Sequence, residues 1–459
     1  MAPETFSLKE NMEKTTVISE FPDGGEYPHE RPALKRGLSQ HVDGGWAWVA
    51  LIAGFFIQFI IIGLVLSMGV FYSELVAEFG GDASASRAIS WLISASLGAN
   101  CFFGPIGSVS ANRFGYTQTI SVGGLLASAG FFITYFSTNF WLVFFSFGVM
   151  TGAGLGLSLS PSFGVIAFYF DKRKKFATTF MTLSVGVGLM VFPSLERYLI
   201  NAYNWRDTSL ILSAISLNLI PFSLLFTHRK KSTGSTSSFR DNADLSLFSK
   251  VSFYLMMVNF FLMAGYNVLN VCGMRFAVHA RGVSETDAAF LFSMQGLTNC
   301  LARLSAMAFG CIPWTSSNRA RWTILNVFTI LGGLALILFG VASDFLQLCI
   351  FCAGIGYFVG GRFALLPALQ MEIFAAKRFT TSWSYGTFCM GMGTLLLPSI
   401  GNWLAVQTST PEAPFYLAGI CVISAAAFTI PLGRCLGVSS ELRKVGKQTQ
   451  ELEYPPELI

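Results

Sequence analysis

Four arginines stand inside long apolar stretches of this sequence, at residues Arg197, Arg275, Arg303 and Arg362. A charged side chain at the centre of a membrane-spanning helix costs about 2.5–3.5 kcal/mol on insertion scales. A guanidinium keeps its proton and presents a planar fork of N–H donors that matches a carboxylate. These arginines therefore predict either recognition of an anionic group or ion pairs that hold helices together.

The depth of each arginine within its apolar run favours one role over the other. Arg197 and Arg275 lie toward the ends of their runs, where a long side chain can reach the polar interface, so we expect a structural or gating role. Arg303 lies deep in its run and can bind a carboxylate or close a salt bridge between two parts of the molecule. Arg362 is equally deep, and either a second anion contact or a pair with a backbone carbonyl fits it.

Two glutamines in the apolar runs are further polar candidates. Gln58 and Gln295 can contact a ligand in a cavity or hydrogen-bond between helices. The sequence shows no Ser–His–Asp arrangement, metal-ligand cluster or phosphate-binding loop, and only four histidines are present. We therefore expect no enzyme activity or catalytic residue, no metal or cofactor, and no nucleic-acid partner.

The apolar runs that hold these residues are long enough to cross a bilayer. The 459-residue chain is 53% hydrophobic and 12% charged, with a mean hydropathy of +0.57, whereas soluble domains carry about 25% charged residues. About 20 apolar residues cross the hydrocarbon core as a helix, and twelve such runs predict an all-α membrane protein with twelve transmembrane helices in a lipid bilayer. The predicted spans lie near residues 46–72, 88–110, 118–137, 140–168, 177–200, 208–227, 252–274, 286–310, 322–342, 345–371, 381–405 and 414–433.

The distribution of positive charge predicts the orientation of these spans. If the N-terminus is cytoplasmic, 23 of the 30 lysines and arginines fall on the cytoplasmic side, and only Arg87, Arg206 and Arg281 fall in the opposite loops. Such an asymmetry follows the positive-inside rule. Both termini are therefore predicted to be cytoplasmic.

Polar segments divide the chain into two halves. The stretch after the sixth span contains Lys230, Lys231 and a Ser/Thr/Gly tract, a composition typical of a flexible linker. We predict five regions: a disordered cytoplasmic tail over 1–45, a six-helix bundle over 46–227, a cytoplasmic linker over 228–251, a second six-helix bundle over 252–433 and a cytoplasmic tail over 434–459.

Three short motifs flank the predicted spans of the first half. The first span is preceded by the hexapeptide 43–48, in which Asp43 can cap the first helical turn and Trp46 and Trp48 suit the membrane interface. The second motif runs from residue 169 to 177 before span five, and it includes Lys172 and Arg173.

The third motif, Asn112-Arg113-Phe114-Gly115, follows span two. With these motifs, the twelve spans and the division into two halves, the chain resembles the monocarboxylate transporter family of the major facilitator superfamily over roughly residues 43–227 and 250–433. The resemblance implies the major facilitator fold and secondary transport of small organic carboxylates across the plasma membrane by alternating access. It also implies that the motif residues serve the family signature or gating. Some relatives need a single-span ancillary glycoprotein, so such a partner is a further expectation.

The resemblance also points to a substrate site, with two departures from the family. In the family an arginine at the place of Arg303 binds the substrate carboxylate, with an aspartate one turn earlier and a lysine in the first span. Here the aspartate is replaced by Asn299 and the lysine by Leu66. The resemblance therefore implies Arg303 and Asn299 as contacts for monocarboxylates or aromatic amino acid-like substrates. The two departures favour larger or uncharged-overall substrates, such as aromatic amino acids, moved without proton coupling. The alternative is a non-transporting receptor or sensor that retains the transporter fold.

Overall fold

The computed structural model describes residues 44–81, 83–170, 173–226, 251–309 and 318–430. The predicted tails and linker lie outside these residues, apart from one or two positions at their edges. Asp43 and Lys172 also lie outside them.

The described residues are helical at all twelve predicted spans. A helix satisfies its own backbone hydrogen bonds, which a segment in lipid must do, and eleven of the helices are long and apolar enough to cross a membrane. The other is Glu285–Phe309, with 25 residues. It is long enough to span, but Gln295, Thr298, Asn299 and Arg303 make it less apolar.

We number the helices α1 to α12 in chain order. Their bounds are α1 Gly45–Glu78, α2 Ala83–Phe114, α3 Tyr116–Phe136, α4 Phe140–Ile166, α5 Lys174–Tyr203, α6 Trp205–Leu224, α7 Val251–Ala280, α8 Glu285–Phe309, α9 Asn318–Val341, α10 Phe345–Pro367, α11 Ser382–Thr408 and α12 Ala413–Ile430. Within α1, the α-helix Gly45–Ser67 changes to a tighter 3₁₀ turn, Met68–Phe71, before Tyr72–Glu78.

The residues between predicted spans ten and eleven are also helical. Helical residues run without interruption from Phe345 to Thr408. The chain nevertheless reverses within this run, because Gln370 Nε2 donates to Ser382 Oγ at 2.9 Å. Twelve residues of straight helix would separate these groups by about 18 Å. The chain therefore reverses between predicted spans ten and eleven, and the residues between these spans are helical.

Ion pairs show which helix ends lie together. Arg206 at the start of α6 pairs with Glu78 at the end of α1 at 2.8 Å. Arg281, between α7 and α8, pairs with Glu412, between α11 and α12, at 3.0 Å and donates to the carbonyl of Gly340 at the end of α9 at 2.8 Å. This is the arrangement expected when successive helices alternate in direction. We call this side, which carries Glu78 and Glu412, the acidic end.

The opposite side gathers the starts of α1 and α3 around the end of α6. Trp46 Nε1 donates to the carbonyl of Leu225 at 3.2 Å, and Thr117 Oγ1 donates to the carbonyl of Phe226 at 3.1 Å. We call this side the basic end, because the last turn of α2 there carries the exposed Arg113.

Close backbone packing joins helices of the first predicted half to helices of the second. At Gly296 of α8, a Cβ atom would lie 2.2 Å from the backbone nitrogen of Met190 in α5. Such small residues let two helices approach closely within a membrane. Side-chain packing also joins the halves between α2 and α11, where the rings of Phe102 and Phe388 lie 5.1 Å apart.

Candidate functional site

Arg303 lies on α8 as a buried cation with part of its guanidinium uncommitted. The residue is 4% exposed, and its Nε donates to Oδ1 of Asn299 at 2.7 Å. Residues four apart share a helix face, so this pair follows from local geometry. The two terminal amino groups donate to no side chain or carbonyl among the described residues. Asn299 thus holds the Nε edge of the guanidinium, and the two terminal amino groups can donate to a carboxylate.

Glycines allow the part of α8 that carries Asn299 and Arg303 to pack closely against α5 and α10. A Cβ atom at Gly360 of α10 would lie 2.7 Å from the carbonyl oxygen of Asn299, and one at Gly356 would lie 2.2 Å from that of Gln295. On its other side, Gly186 of α5 meets Cys300 just as closely. Arg303 is therefore placed by a helix that α5 and α10 contact at backbone distance.

Arg362 is fully buried and belongs to a different network. Its Nη2 donates to Oδ1 of Asn259 in α7 at 2.6 Å, and its Nη1 donates to the hydroxyl of Thr329 in α9. Asn259 in turn donates to the carbonyl of Ala425 in α12 at 2.8 Å. Gly360 faces Asn299 on α8, and a residue two positions later points to the other side of α10. The structure therefore does not bring Arg362 together with Arg303. Instead, the hydrogen bonds of Arg362 and Asn259 connect α7, α9, α10 and α12.

Of the two glutamines, Gln58 makes a helix–helix contact. Gln58 on α1 is fully buried, and its Nε2 donates to the carbonyl of Leu159 at 2.9 Å and to Oγ of Ser162 at 2.6 Å, both in α4. The side-chain carbonyl oxygens of Gln58 and Gln295 are buried without a hydrogen-bond partner among the described residues. The Gln58 amide is therefore held on one side, and both side chains retain a buried acceptor.

Leu66, which replaces the family lysine in the first span, also lies in apolar surroundings. Leu66 is half-buried and packs against the hydrophobic core. The next residue, Ser67, has a polar partner that the sequence reasoning missed: its Oγ lies 2.6 Å from Oε1 of Glu196 in α5. Glu196 is 1% exposed. An acid within the predicted span 177–200 was the available signal, but Ser67 is too distant in sequence to suggest the pairing.

Two of the sequence motifs meet at the basic end. The ring of Trp48 packs edge-on against Phe170 and Phe176, with centroids 5.6 and 6.0 Å apart. The guanidinium of Arg173 lies 5.7 Å from the Trp48 ring, within the range of a cation–π contact. Trp46, by contrast, is 45% exposed, and its indole N–H donates to the carbonyl of Leu225.

The third motif lies at the same end but is solvent-facing. Asn112 and Arg113 are both exposed. The Tyr116 hydroxyl donates to Oδ1 of Asn112 at 3.4 Å, and the Arg113 guanidinium lies 5.3 Å from the ring of Phe114. None of these contacts reaches Trp48 or the α8 pair.

Arg197 forms an ion-pair cluster at the acidic end, which we call the latch: Arg197, Glu74 and Glu285. Its guanidinium lies 3.1 Å from Glu74 at the end of α1 and also pairs with Glu285 at the start of α8. Asn201 accepts a further hydrogen bond at 2.6 Å. Arg275, the other arginine near a span end, donates to Asn402 at 3.4 Å. The latch joins helices of the two predicted halves.

Known proteins with similar sequences or folds are membrane transporters. The sequence profile of the Major Facilitator Superfamily matches residues 50–310. Monocarboxylate transporter 13 of Rattus norvegicus is 26% identical over 411 residues, covering 87% of this chain and 92% of the relative. Monocarboxylate transporter 6 of Homo sapiens is 27% identical over 412 residues, covering 85% and 80%, and monocarboxylate transporter 3 of Rattus norvegicus is 29% identical over 400 residues, covering 84% and 79%. The crystal structure of a D-xylose-proton symporter is similar with a TM-score of 0.66 at 13% identity, covering 83% of this chain and 96% of that one.

These similarities agree with the helical architecture and with the sequence motifs. The superfamily profile spans over half of the chain, and the structural neighbour supports the fold alone because its identity is low. The protein is a multi-pass membrane protein and a secondary transporter of small organic solutes, not an enzyme. The predicted family is confirmed: the chain belongs to the Major Facilitator Superfamily and, within it, to the monocarboxylate transporters.

Proposed function

We propose that this protein carries small organic carboxylates, either monocarboxylates or aromatic amino acid-like substrates, with the substrate carboxylate bound by Arg303. The observation that supports this is the state of the guanidinium. Its Nε is fixed by Asn299 at 2.7 Å, while its terminal amino groups have no partner among the described residues. A buried cation with a free, oriented fork suits a carboxylate of the substrate.

Alternating access is the proposed mechanism, with the acidic end closed in this conformation. The latch supports closure, because Arg197 of α5 pairs with Glu285 of α8. The close α5–α8 packing at Gly296 and Gly186 offers a surface on which the halves can rock. Opening of the acidic end requires the Arg197–Glu285 pair to separate.

The residues around the site favour one part of the substrate range. The family aspartate is replaced by Asn299 beside Arg303, and the family first-span lysine by the half-buried Leu66, so this chain carries fewer charges at these positions than the family pattern. This composition favours substrates whose charge is balanced within the molecule, as in an aromatic amino acid. We also propose a plasma-membrane location with the basic end and both termini facing the cytoplasm, because the positive charges follow that pattern.

Uptake into proteoliposomes tests the proposal. The purified protein should take up at least one radiolabelled compound from a panel of lactate, pyruvate, phenylalanine and larger carboxylates. Arg303→Ala should abolish that uptake, and Arg303→Lys should recover only part of it because an ammonium lacks the bidentate fork. Arg206→Ala, which removes an arginine from the acidic end, is the matched control and should transport normally. Normal uptake by Arg303→Ala would refute the assignment, and binding without flux in the intact protein would instead identify a receptor.

A further inference from the structure

Arg275 on α7 is a half-buried cation at the acidic end, and no described acid pairs with it. The other buried or half-buried arginines of the described chain at this end each pair with at least one glutamate: Arg197, Arg206 and Arg281. A guanidinium without a carboxylate partner keeps its capacity to bind one. Of these four arginines, Arg275 is therefore the one available to an anion from outside the chain.

The side chain beside Arg275 supplies a further donor. The Nη1 of Arg275 donates to Oδ1 of Asn402 in α11 at 3.4 Å, and the Sγ of Cys272 lies 3.7 Å from the same oxygen. Asn402 is 6% exposed, and its Nδ2 is buried with no hydrogen-bond partner among the described residues. Buried amide groups normally have a partner. An unused N–H donor therefore lies next to the positive charge.

Tyr72 of α1 covers this pair from the first predicted half. It is fully buried, and its ring lies edge-on to that of His279 in α7, with the centroids 6.3 Å apart. His279 follows Arg275 by four residues, so both side chains lie near one face of α7. The charge of Arg275 also reaches the Tyr72 hydroxyl. We call Arg275, Asn402 and Tyr72 the α7 cluster.

The α7 cluster lies where the two predicted halves must separate when the acidic end opens. One turn before Tyr72, a Cβ atom at Gly69 would lie 2.3 Å from the carbonyl oxygen of Asn270 in α7, so the halves are in backbone contact beside the cluster. Opening moves Tyr72 away with α1. Arg275 and Asn402 stay together on the second half, and their donors are then exposed to water.

The α7 cluster differs from the proposed substrate site in depth and resembles it in composition. At 1.5 Å per residue, Arg275 lies about 8 Å from the end of α7 at Ala280, and Arg303 lies about 27 Å from the start of α8 at Glu285. The two depths differ by about 20 Å, so one small carboxylate cannot contact both arginines. Each site nevertheless combines an arginine with an asparagine.

We propose, on the basis of the proposed function, that the α7 cluster is a second carboxylate site, which binds the substrate anion when the acidic end opens and before the anion reaches Arg303. The guanidinium of Arg275 and the Nδ2 of Asn402 donate to the carboxylate oxygens. The glutamates at this end repel an anion, and Arg275 offsets that repulsion at the start of the path. Closure returns Tyr72 to the guanidinium and displaces the anion toward Arg303.

Protection of a nearby thiol tests the site without relying on Arg303. His279 is exposed, so His279→Cys in a background without native cysteines places a reactive thiol about one helical turn from Arg275. Saturating pyruvate should slow alkylation of this thiol by a neutral maleimide, and the protection should persist when Arg303→Ala is added. Arg275→Gln should abolish the protection. Arg87→Gln, which removes an exposed arginine from the same end, is the matched control and should keep it.

Three outcomes of this experiment would overturn the proposal. They are an absence of protection by pyruvate, protection that survives Arg275→Gln, and equal protection by chloride at the same concentration. The last outcome would identify a site for any small anion instead of a carboxylate site. The uncharged primary amide of pyruvate should give no protection, because it lacks the charge that Arg275 binds.

Uptake kinetics separate carboxylate binding from a merely structural role of Arg275. In proteoliposomes that hold the protein in one orientation, Arg275→Gln should raise the KM for pyruvate entering at the acidic end at least about tenfold, as expected for loss of a charge-assisted contact. The maximal rate and inhibition by the uncharged amide should stay unchanged, and Arg275→Lys should recover part of the loss. An unchanged KM, or equal weakening of acid and amide, would refute the assignment. If Arg303→Ala transports normally, the proposed function fails, and the thiol protection alone decides the α7 cluster.

Discussion

The latch at the acidic end should determine how readily that end opens. Replacement of Glu285 by Gln removes the pair that Arg197 makes across α5 and α8. Replacement of Glu74 by Gln removes the other pair, which joins α5 to α1 within the same predicted half. Only the first pair must break when the acidic end opens. Glu285→Gln should therefore favour the open state, and Glu74→Gln is its matched control.

The magnitude follows from the exposure of the partners. The Arg197 side chain is 9% exposed, and the Glu74 and Glu285 side chains are 32% and 29% exposed. Ion pairs screened by solvent contribute about 0.2–1 kcal/mol, and one nearly buried partner places this pair at the upper limit. A loss of about 1 kcal/mol corresponds to an approximately fivefold shift in the ratio of open to closed molecules. The control should shift this ratio by less than half as much.

Distance measurements by electron paramagnetic resonance can report this shift. Spin labels at the exposed Asp207 and Asp344, in a background without native cysteines, would report the separation of the two predicted halves at the acidic end. Glu285→Gln should increase the long-distance population about fivefold. Equal distributions in Glu285→Gln and the intact protein would refute the assignment of this pair as a latch, and so would an equal response in Glu74→Gln.

Three further changes separate packing from binding. Gly296→Val should lower the melting temperature in detergent by several degrees, because overpacking against the α5 backbone costs about 1–3 kcal/mol. The control is Gly45→Val, which should leave the melting temperature unchanged because a Cβ atom there meets nothing within 4 Å. Equal melting temperatures for the two variants would contradict the close α5–α8 contact. Arg362→Met should destabilise the protein by about 1–3 kcal/mol, because the buried side chains of Asn259 and Thr329 lose their hydrogen-bond partner. A stable variant with lost uptake would mean that Arg362 binds substrate instead. If the contact between Trp48 and Arg173 is needed for opening and closing of the basic end during transport, Trp48→Leu should reduce uptake more than it reduces thermal stability. Unchanged uptake would mean that the contact contributes only to packing.

Apolarity alone predicted the positions of the helices, because a run of about 20 apolar residues in lipid has no alternative to a helix. The reversal between α10 and α11 was predicted for the same reason. Its helical backbone was not, because the Lys377–Arg378 pair resembles an ordinary polar loop and helix formation there depends on the surrounding packing.

The sequence could name the arginines but could not tell which of them share a site. A helix that is apolar on nearly all faces gives no periodic signal for its rotation about its own axis. Arg303 and Asn299 were predictable as neighbours, since four residues separate them on one helix. The partners of Arg362 and the contact between Glu196 and Ser67 join residues over a hundred positions apart in sequence, or on different helices, and only the packed structure brings them together.

The central claim is that Arg303 binds the carboxylate of the substrate. The most direct test compares inhibition of uptake by a carboxylic acid and by its uncharged primary amide, in the intact protein and in Arg303→Gln. The intact protein should prefer the acid by at least about tenfold, as expected for loss of one charge-assisted bidentate contact of about 1.5–3 kcal/mol, and Arg303→Gln should lose this preference. An equal preference for the acid in both proteins would contradict the central claim.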